Sequence, residues 1–219
     1  MNIVIMGLPG AGKGTHAQRL EFELGMVHLS SGNIIKQAIA EESSLGQQAK
    51  QYVYRGELVP DEIVNKLMNS NIRTHRGDDL LFDGYPRTLV QAKELEQILN
   101  KQDRKIDLCL FLQVDDKDLL NRISGRRICS TDGSVYHVTF DPPRKEGFCD
   151  KCGKPLLQRE DDKKEIVKKR IVDSKNRIFK IIDFYEKKGV LEKVAGTERS
   201  PDEVHHDVRS VVKDYIKNS

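Results

Sequence analysis

The sequence predicts an α/β protein built on a doubly wound, five-stranded parallel sheet. Short apolar segments typical of buried strands alternate with segments of helical periodicity along the chain. A glycine-rich loop of the phosphate-binding kind follows the first apolar segment directly. The alternation is interrupted twice, by an extra helical segment over residues 30–59 and by a segment without helical periodicity over residues 126–163. Both segments are predicted to be insertions into the sheet framework.

The elements can be placed from local signals. The five strands are expected at residues 2–6, 27–29, 80–83, 108–114 and 190–194. Pro60 with two following acidic residues opens one helix, and Ser200 to Glu203 forms a capping box that opens the last one. Gly189 is expected to end the long helix that precedes the last strand. The predicted division is a core of residues 1–29, 60–125 and 164–219, a helical insertion of 30–59 and a small β insertion of 126–163.

Composition limits the classes of function. The 219 residues include 37 basic and 34 acidic ones, and a net charge of +3 is too balanced to indicate a nucleic-acid or membrane-surface partner. No apolar run approaches the roughly 20 residues that span a bilayer. The first apolar segment leads into the glycine loop rather than a cleavage site, so a cytoplasmic protein is expected. Four cysteines in such a protein favour a metal or buried thiols over disulfides. Cys109, inside an apolar run, is expected to be a buried apolar residue.

The segment from Gly7 to Thr15 reads G-L-P-G-A-G-K-G-T and fits the phosphate-loop pattern G-x-x-x-x-G-K. Its glycines let backbone N–H groups surround nucleotide phosphates, and Lys13 reaches the outer phosphates. The helix that follows adds partial positive charge. Gly14 stands where most such loops carry the Ser or Thr that binds magnesium, which indicates a small-molecule nucleotide kinase rather than a GTPase or motor. A glycine-rich turn without a ligand is the alternative, against which the strand-loop-helix setting argues.

Asp83 ends the third apolar segment and precedes Gly84, Tyr85, Pro86 and Arg87. A carboxylate at the carboxyl end of a central strand lies beside the phosphate loop, where it can hold magnesium directly or through water. A simple Asp-Gly turn is the alternative. The nearby phosphate loop favours the metal role.

Arginines gather in the second half of the chain, at Arg122, Arg126, Arg127, Arg159 and Arg170. Singly, such residues are most often solvated surface charges. Phosphoryl transfer, however, requires cations around the equatorial oxygens of the transferred group. Because the first three flank the start of the β insertion, they predict a mobile flap that carries positive charge to the site.

Two matched turns predict a metal site in the β insertion. Cys149 and Cys152 form a C-x-x-C turn, and Cys129 and Asp132 repeat its spacing with aspartate as the second ligand. Each turn is followed by glycine, and sixteen residues separate them. Zinc accepts carboxylate oxygen, and four protein ligands leave no open position, so the predicted zinc is structural. A metal-free flap with free thiols is the alternative.

Taken together, the motifs resemble adenylate kinase of the long bacterial type with a zinc-bearing lid. The resemblance covers essentially the whole chain, and it is carried by GLPGAGKGT, SSGN at 30–33, ELVPDE at 57–62, FDGYPRT at 82–88, GRRIC at 125–129, the paired turns and REDD at 159–162. It implies transfer of the γ-phosphoryl group of MgATP to AMP with formation of two ADP. It also implies a monomer in which the 30–59 insertion binds AMP and the β insertion closes as a lid over the site.

The resemblance implies three groups of residues. Catalytic roles fall to Lys13, Asp83, Arg87, Arg122, Arg126, Arg159 and Arg170. ATP is expected to contact Gly10, Ala11, Gly12, Lys13, Gly14, Thr15, Arg126, Val135, Tyr136 and Glu198. AMP is expected to contact Ser31, Lys36, Glu57, Leu58, Val59, Gly84, Tyr85, Pro86, Arg87, Gln91, Arg159 and Arg170.

Two positions depart from the family pattern. Asn33 replaces the usual aspartate and Lys36 the usual arginine on the helix that approaches the AMP phosphate, and the second change turns a planar fork into a point donor. A kinase for UMP, CMP or GMP is a neighbouring alternative, against which the long lid and Gln91 argue. A zinc-ribbon nucleic-acid-binding protein is a second alternative. It requires a basic face with interleaved aromatics, and the lid offers few aromatics among mixed charges.

Overall fold

A computed structural model describes residues 1–159 and 162–218. Glu160 and Asp161 of the predicted lid and Ser219 of the predicted core lie outside the described residues. Eight strands are present in the described part: β1 (Asn2–Gly7), β2 (Val27–Ser30), β3 (Leu80–Asp83), β4 (Leu108–Gln113), β5 (Arg126–Cys129), β6 (Val135–His137), β7 (Leu156–Leu157) and β8 (Leu191–Ala195). The helices there are α1 (Lys13–Leu24), α2 (Ser31–Ala40), α3 (Ser44–Tyr54), α4 (Asp61–Thr74), α5 (Leu89–Asn100), α6 (Asp116–Ser124), α7 (Lys164–Lys187) and α8 (Pro201–Asn218).

The central sheet has five parallel strands in the order β2-β3-β1-β4-β8, which confirms the predicted fold class. The observed strand ends differ from the expected ones by at most one residue, because neighbouring strands set them. β1 extends to Gly7, which pairs with Leu112 of β4. The chain adds strands on one side of β1 and later on the other, so the loop after β1 lies at the topological switch point of the sheet.

The core lies between this sheet and helices on both of its faces. All six residues of β1 and the first five of β4 are buried, as expected for strands covered on both sides. Helix α1 packs against α8, whereas α5 packs against α4 and α7. The two layers hold the carboxyl ends of β1 and β3, and therefore the predicted phosphate site, in a fixed relation.

The predicted helix ends are present. The backbone N–H and hydroxyl of Ser200 donate to the Glu203 carboxylate at 2.8 and 2.7 Å, and the Glu203 N–H donates back to the Ser200 hydroxyl at 3.3 Å. This reciprocal pair is the expected capping box. Gly189 follows α7 with φ of +70°, and α4 begins at Asp61 directly after Pro60.

Two segments are inserted between elements of this framework. Helices α2 and α3 occupy residues between β2 and α4, and a three-stranded antiparallel sheet of order β6-β5-β7 occupies residues between α6 and α7. Across the described ranges, no helix combines the length and the apolar character needed to cross a membrane.

Candidate active site

The phosphate loop joins β1 to α1 and depends on its glycines. Gly10 and Gly12 have φ of +84° and +91°, a left-handed conformation that side chains disfavour. A Cβ on Gly10 would also lie 2.6 Å from the Ile123 side chain. Gly12, the N-cap of α1, has no side chain with which to occupy the first N–H groups of the helix. The loop therefore leaves an anion-binding helix N-terminus open to a ligand.

Lys13 folds back over this loop. Its ammonium donates to the carbonyl oxygens of Gly7 and Leu8 at 2.8 and 3.0 Å. Desolvation is the main cause that lowers the pKa of Lys13 to about 8, and Arg87, Arg126 and Arg170 lower the pKa further, while the Asp83 charge opposes the shift. Four of the residues that the sequence singled out thus act electrostatically on the loop lysine. Such an excess of cations favours a polyanionic ligand.

Asp83 ends β3 beside the loop. Its Oδ2 would lie 3.6 Å from a Cβ placed on Gly14, so the missing side chain at Gly14 leaves room beside the carboxylate. On the other side, the Nε2 of His28 lies 3.5 Å from the same oxygen, and the Nδ1 of His28 lies 3.3 Å from Glu21 Oε2. Desolvation lowers the pKa of His28, but the nearby Asp83 and Glu21 carboxylates together outweigh it and raise the pKa.

Several of the residues that are expected to bind AMP meet at Gly84. The hydroxyl of Ser31 donates to the Gly84 carbonyl at 2.7 Å, and the Nε of Arg87 donates to the same oxygen at 2.8 Å. Gly84 has φ of +69°, and a Cβ there would lie 3.0 Å from both side chains. Glycine at this position therefore lets α2 and the Arg87 guanidinium meet at one carbonyl.

Gln91 is buried, with 1% of its surface exposed. Its amide nitrogen donates to Asp61 Oδ1 at 2.7 Å, and its amide oxygen accepts from the Arg87 backbone N–H at 2.7 Å. Asp61 also accepts from the Thr88 hydroxyl at 2.8 Å. The amide of this expected AMP contact thus also ties α5 to the start of α4 and fixes the backbone at Arg87.

The other expected AMP contacts occupy the rim of the same side. Lys36 is exposed on α2, and among the described residues it makes no hydrogen bond or ion pair. Glu57 and Leu58 are exposed in the segment before α4, while Val59 is buried. Behind Gly84, Tyr85 is buried and donates to Asn65 at 2.8 Å, and Pro86 follows it.

A buried carboxylate organises two of the arginines. Asp162 is fully buried and accepts from Arg126 at both oxygens, at 2.9 and 2.5 Å. Arg170 of α7 approaches the same carboxylate at 3.8 Å. These two hydrogen bonds fix the plane of the Arg126 guanidinium and occupy its Nε–Nη2 edge, so phosphate oxygens would meet the opposite edge. Arg159, expected to join these cations, is exposed after β7.

Arg122 lies against the loop between β8 and α8. It donates to the carbonyl oxygens of Gly196 and Arg199 at 2.6 and 3.2 Å. Glu198, the predicted ATP contact in that loop, is exposed with φ of +53°. Thr15, the hydroxyl residue after the phosphate loop, is also exposed.

The two lid residues expected at ATP lie on β6, and they differ in their surroundings. Val135 is exposed and pairs with Ile128 of β5. The hydroxyl of Tyr136 instead reaches the cysteine turns, lying 3.5 Å from Cys149 Sγ and accepting from the Asp150 N–H at 2.8 Å. The ring of Tyr136 therefore links the strand to the second turn.

The four predicted metal ligands come together in the lid. One donor atom each from Cys129, Asp132, Cys149 and Cys152 lies within 4.8 Å of all the others. The Cys129 and Cys152 sulfurs are 3.3 Å apart, far beyond a disulfide bond of about 2.05 Å, and Cys149 Sγ lies 3.1 Å from Asp132 Oδ2. Tetrahedral zinc with Zn–S bonds of about 2.3 Å would hold sulfurs about 3.8 Å apart. The donor set and its spacing therefore fit one tetrahedral ion.

The backbone of the turns supports this arrangement. Gly133 and Gly153, the glycines that follow the two turns, have φ of +73° and +68°. The Ser134 N–H donates to Asp132 Oδ1 at 2.8 Å, and this bond is the main cause that lowers the pKa of Asp132 well below its usual range. Asp132 is therefore held as a carboxylate, the form that ligates a cation.

Three side chains at the site were not identified from the sequence. His28 contacts Asp83 across two strands, Asp162 orients Arg126, and Asp118 contacts Arg122 at 2.9 Å. His28 and its partner are far apart in the chain, so no local pattern marks the pair. The acidic run after Arg159 was a signal for Asp162, since a buried fork needs a carboxylate.

A phosphate loop at the switch point of a parallel sheet, flanked by Asp83 and forked cations, defines a P-loop kinase of nucleoside monophosphates. A family model described as adenylate kinase matches residues 5–190. The chain belongs to the adenylate kinase family.

Individual relatives agree with this assignment over nearly their whole length. An adenylate kinase of Bacillus licheniformis is 43% identical over 213 residues, 97% of this chain and 98% of that protein. An adenylate kinase of Staphylococcus aureus is 42% identical over 217 residues, 99% of this chain and 97% of that protein. An adenylate kinase of a Geobacillus species is 43% identical over 216 residues, 97% of this chain and 98% of that protein.

Proposed function

We propose that the adenylate kinase reaction, transfer of the γ-phosphoryl group of MgATP to AMP to give two ADP, is carried out here by one convergent group of charges. The group consists of Lys13, Asp83, Arg87, Arg122, Arg126, Arg159 and Arg170. The observation that carries this proposal is the combined effect of Asp83 and three arginines on the pKa of Lys13. Cations from three separate parts of the chain act on the lysine of the phosphate loop.

The proposed ATP site surrounds this loop. Backbone N–H groups of the loop and the start of α1 hold the β- and γ-phosphates, and Lys13 turns from the Gly7 and Leu8 carbonyls to the outer phosphates. Arg122 and Glu198 border the nucleotide on the core side, and Val135 and Tyr136 border it on the lid side. The residues expected to contact ATP are Gly10, Ala11, Gly12, Lys13, Gly14, Thr15, Arg126, Val135, Tyr136 and Glu198, and Arg122 adjoins them.

The proposed AMP site lies between α2 and the segment after β3. Arg87 and Arg170 orient the phosphate of AMP, and Lys36 approaches it from α2. Gln91 reads the adenine with the amide hydrogen that Asp61 does not take. The remaining contacts are Ser31, Glu57, Leu58, Val59, Gly84, Tyr85, Pro86 and Arg159.

Adenylate kinases use Mg²⁺ with ATP, and we propose Asp83 as the residue that places it. Magnesium prefers oxygen ligands and keeps several of its waters, so one carboxylate beside the phosphates suits it. The absence of a side chain at Gly14, beside Asp83 Oδ2, supports this role. When bound, the ion neutralises charge on the β- and γ-phosphate oxygens.

The proposed mechanism is positioning with electrostatic stabilisation. The acceptor is an acidic phosphate oxygen, so no general base is required. Asp162 fixes the plane of the Arg126 guanidinium. Arg126 closes over the transferring group together with Arg122 and Arg159, and their guanidinium donors match its equatorial oxygens. The lid closes over the core and keeps out water that would otherwise accept the phosphoryl group. In this scheme the core is residues 1–29, 60–125 and 164–219, the AMP segment is 30–59 and the lid is 126–163.

We propose that the lid holds one structural Zn²⁺ on Cys129, Asp132, Cys149 and Cys152. The gathered thiols, the ionised Asp132 and the two left-handed glycines support this assignment. Because protein atoms would fill all four positions of a tetrahedral ion, the metal serves stability rather than chemistry.

We further propose a monomeric cytoplasmic protein that binds neither nucleic acid nor membranes. Thiols that ligate a metal must stay reduced, which supports a reducing compartment. Light scattering of the purified protein, with and without nucleotides, measures the oligomeric state.

A coupled assay with ATP and magnesium tests the reaction, with AMP, UMP, CMP and GMP compared as acceptors. AMP should be preferred, and Lys13→Ala should lower kcat/KM by about a thousandfold or more, since the transferred charge loses its central cation. Lys213→Ala, on the exposed face of α8, is the matched control and should retain full activity. Equal rates with AMP and another nucleoside monophosphate would refute the acceptor assignment.

A further inference from the structure

Asp118 lies in the first turn of α6 and contacts two parts of the proposed ATP site at once. Its Oδ2 forms an ion pair with Arg122 Nη2 at 2.9 Å and accepts a hydrogen bond from the backbone N–H of Glu198 at 3.1 Å. The second partner lies 80 residues further along the chain. One carboxylate oxygen therefore joins helix α6 to the loop between β8 and α8.

The contact with Arg122 is sheltered from solvent. The side chains of Asp118 and Arg122 are only 13% and 21% exposed to solvent, so their ion pair is less screened than an ordinary surface ion pair. The same guanidinium nitrogen donates to the Gly196 and Arg199 carbonyls at 2.6 and 3.2 Å. The ion pair with Asp118 thus keeps Arg122 in the position in which it also donates hydrogen bonds to the 196–199 loop.

The loop itself needs external support. Glu198 has φ of +53°, a backbone conformation that residues other than glycine rarely adopt. Its N–H donates a hydrogen bond to the Asp118 carboxylate. A second clasp lies beside it, since the Asp115 N–H donates to the Thr197 hydroxyl at 2.9 Å. The start of α6 therefore fixes the loop at two successive residues, through the side chain of Thr197 and the backbone of Glu198.

We propose that Asp118 is a positioning residue for ATP, acting through Arg122 and through the backbone at Glu198. This inference rests on the proposed function, because it takes the 196–199 loop and Arg122 as one wall of the ATP site. Asp118 does not need to touch the nucleotide. Its charge sets the direction of the Arg122 guanidinium and preorganises the loop, which reduces the ordering that ATP binding must otherwise drive.

The test measures binding of ATP and of AMP separately, by calorimetry without turnover, in Asp118→Ala and Asp118→Asn. We expect Asp118→Ala to weaken ATP binding about tenfold, through loss of one ion pair and one hydrogen bond to an ionised acceptor, and to change AMP binding less than about twofold. Asp118→Asn keeps an acceptor oxygen without the charge and should fall between Asp118→Ala and the wild type. In steady-state kinetics the KM for ATP should rise more than kcat falls.

Asp116→Ala is the matched control. Asp116 lies in the same first turn of α6 and is also acidic, but it pairs with Lys175 at 2.6 Å and its side chain is 56% exposed. Removing it changes the charge at the helix N-terminus by the same amount without touching the loop. It should leave ATP and AMP binding unchanged, and melting curves of all three variants separate a loss of folding from a loss of binding.

ATP binding by Asp118→Ala equal to that of wild type, or lost in parallel with AMP binding, would overturn the inference. Tighter ATP binding would also overturn it, because Asp118 would then act by repelling the phosphates. These outcomes are distinct from failure of the proposed function, which would appear in the wild type as no binding of ATP or no phosphorylation of AMP.

Discussion

The core and the lid of this molecule hold their functional side chains by different means. The core strand β1, which leads into the phosphate loop, has Ile3 and Val4 fully buried and Ile5 only 1% exposed. In the described part of the lid the buried hydrophobic residues are Cys129 and Cys149, while Phe140 and Val135 are 60% and 57% exposed. The core is stabilised by apolar burial, whereas the lid must rely on its cysteine cluster.

This difference is consistent with the size of the two units. A segment of fewer than about 40 residues rarely buries enough apolar surface to fold alone, and metals commonly compensate. Asp83 ends a strand of the five-stranded sheet, and Lys13 begins the helix that follows another of its strands. Arg126, in contrast, belongs to the three-stranded sheet. In the proposed scheme a lid with little apolar core moves as a unit, and the proposed metal keeps it rigid while it moves.

The largest effect should come from breaking the lid cluster. Cys149→Ser should lose the metal and lower the melting temperature by roughly 5–10 °C, because the lid has little other stabilisation. Turnover at 25 °C should fall much less, since the ligands do not touch the substrate. Elemental analysis and calorimetric melting measure the two quantities. Asp132→Cys is the control, and it should keep about one zinc per chain.

A second prediction concerns the core, through the pKa of Lys13. Bound phosphates favour the charged ammonium, and the pKa of about 8 in the free protein means that ATP binding must take up a proton at higher pH. Apparent ATP affinity should be constant below pH 7 and fall above pH 8 by up to about tenfold per pH unit. Calorimetry between pH 6.5 and about 9.5 measures it.

Lys13→Arg tests the origin of that pH dependence, because arginine stays charged over the whole range. Its ATP affinity should be lower than that of wild type but nearly independent of pH. A dependence unchanged in the variant would assign the titration to another group.

The smallest effect is expected at Lys36. Arginine there could hold the AMP phosphate with two parallel N–H bonds, so Lys36→Arg should lower the KM for AMP about threefold and leave that for ATP unchanged. Lys66→Arg, an exposed lysine of α4 paired with Glu62, is the matched control. An unchanged KM for AMP in Lys36→Arg would mean that residue 36 does not contact the phosphate.

The sheet and the phosphate loop could be predicted because their signals are local. Apolar runs mark the strands, and the glycines with Lys13 identify the loop within nine residues. The paired cysteine turns are local in the same sense, since each turn has its own spacing and its own left-handed glycine. The gathering of their four donor atoms follows once β5 and β7 pair.

The remaining features depend on contacts between distant segments. His28 meets Asp83 because β2 and β3 are neighbours, with Ser30 opposite Asp83 in their register. The hydrogen bond between the Gln91 amide and Asp61 depends on where α4, which begins at Asp61, lies relative to α5. Sequence spacing identifies such residues as polar, but only the packing of the sheet and helices shows which partners they have.

Hydrogen–deuterium exchange of the zinc-loaded and the zinc-stripped protein tests the comparison of core and lid most directly. If burial holds the core and the metal holds the lid, removing zinc should speed amide exchange in β5, β6 and β7 and leave β1 and β3 protected. Equal exchange of the lid in both forms, or loss of protection in β1, would contradict the account.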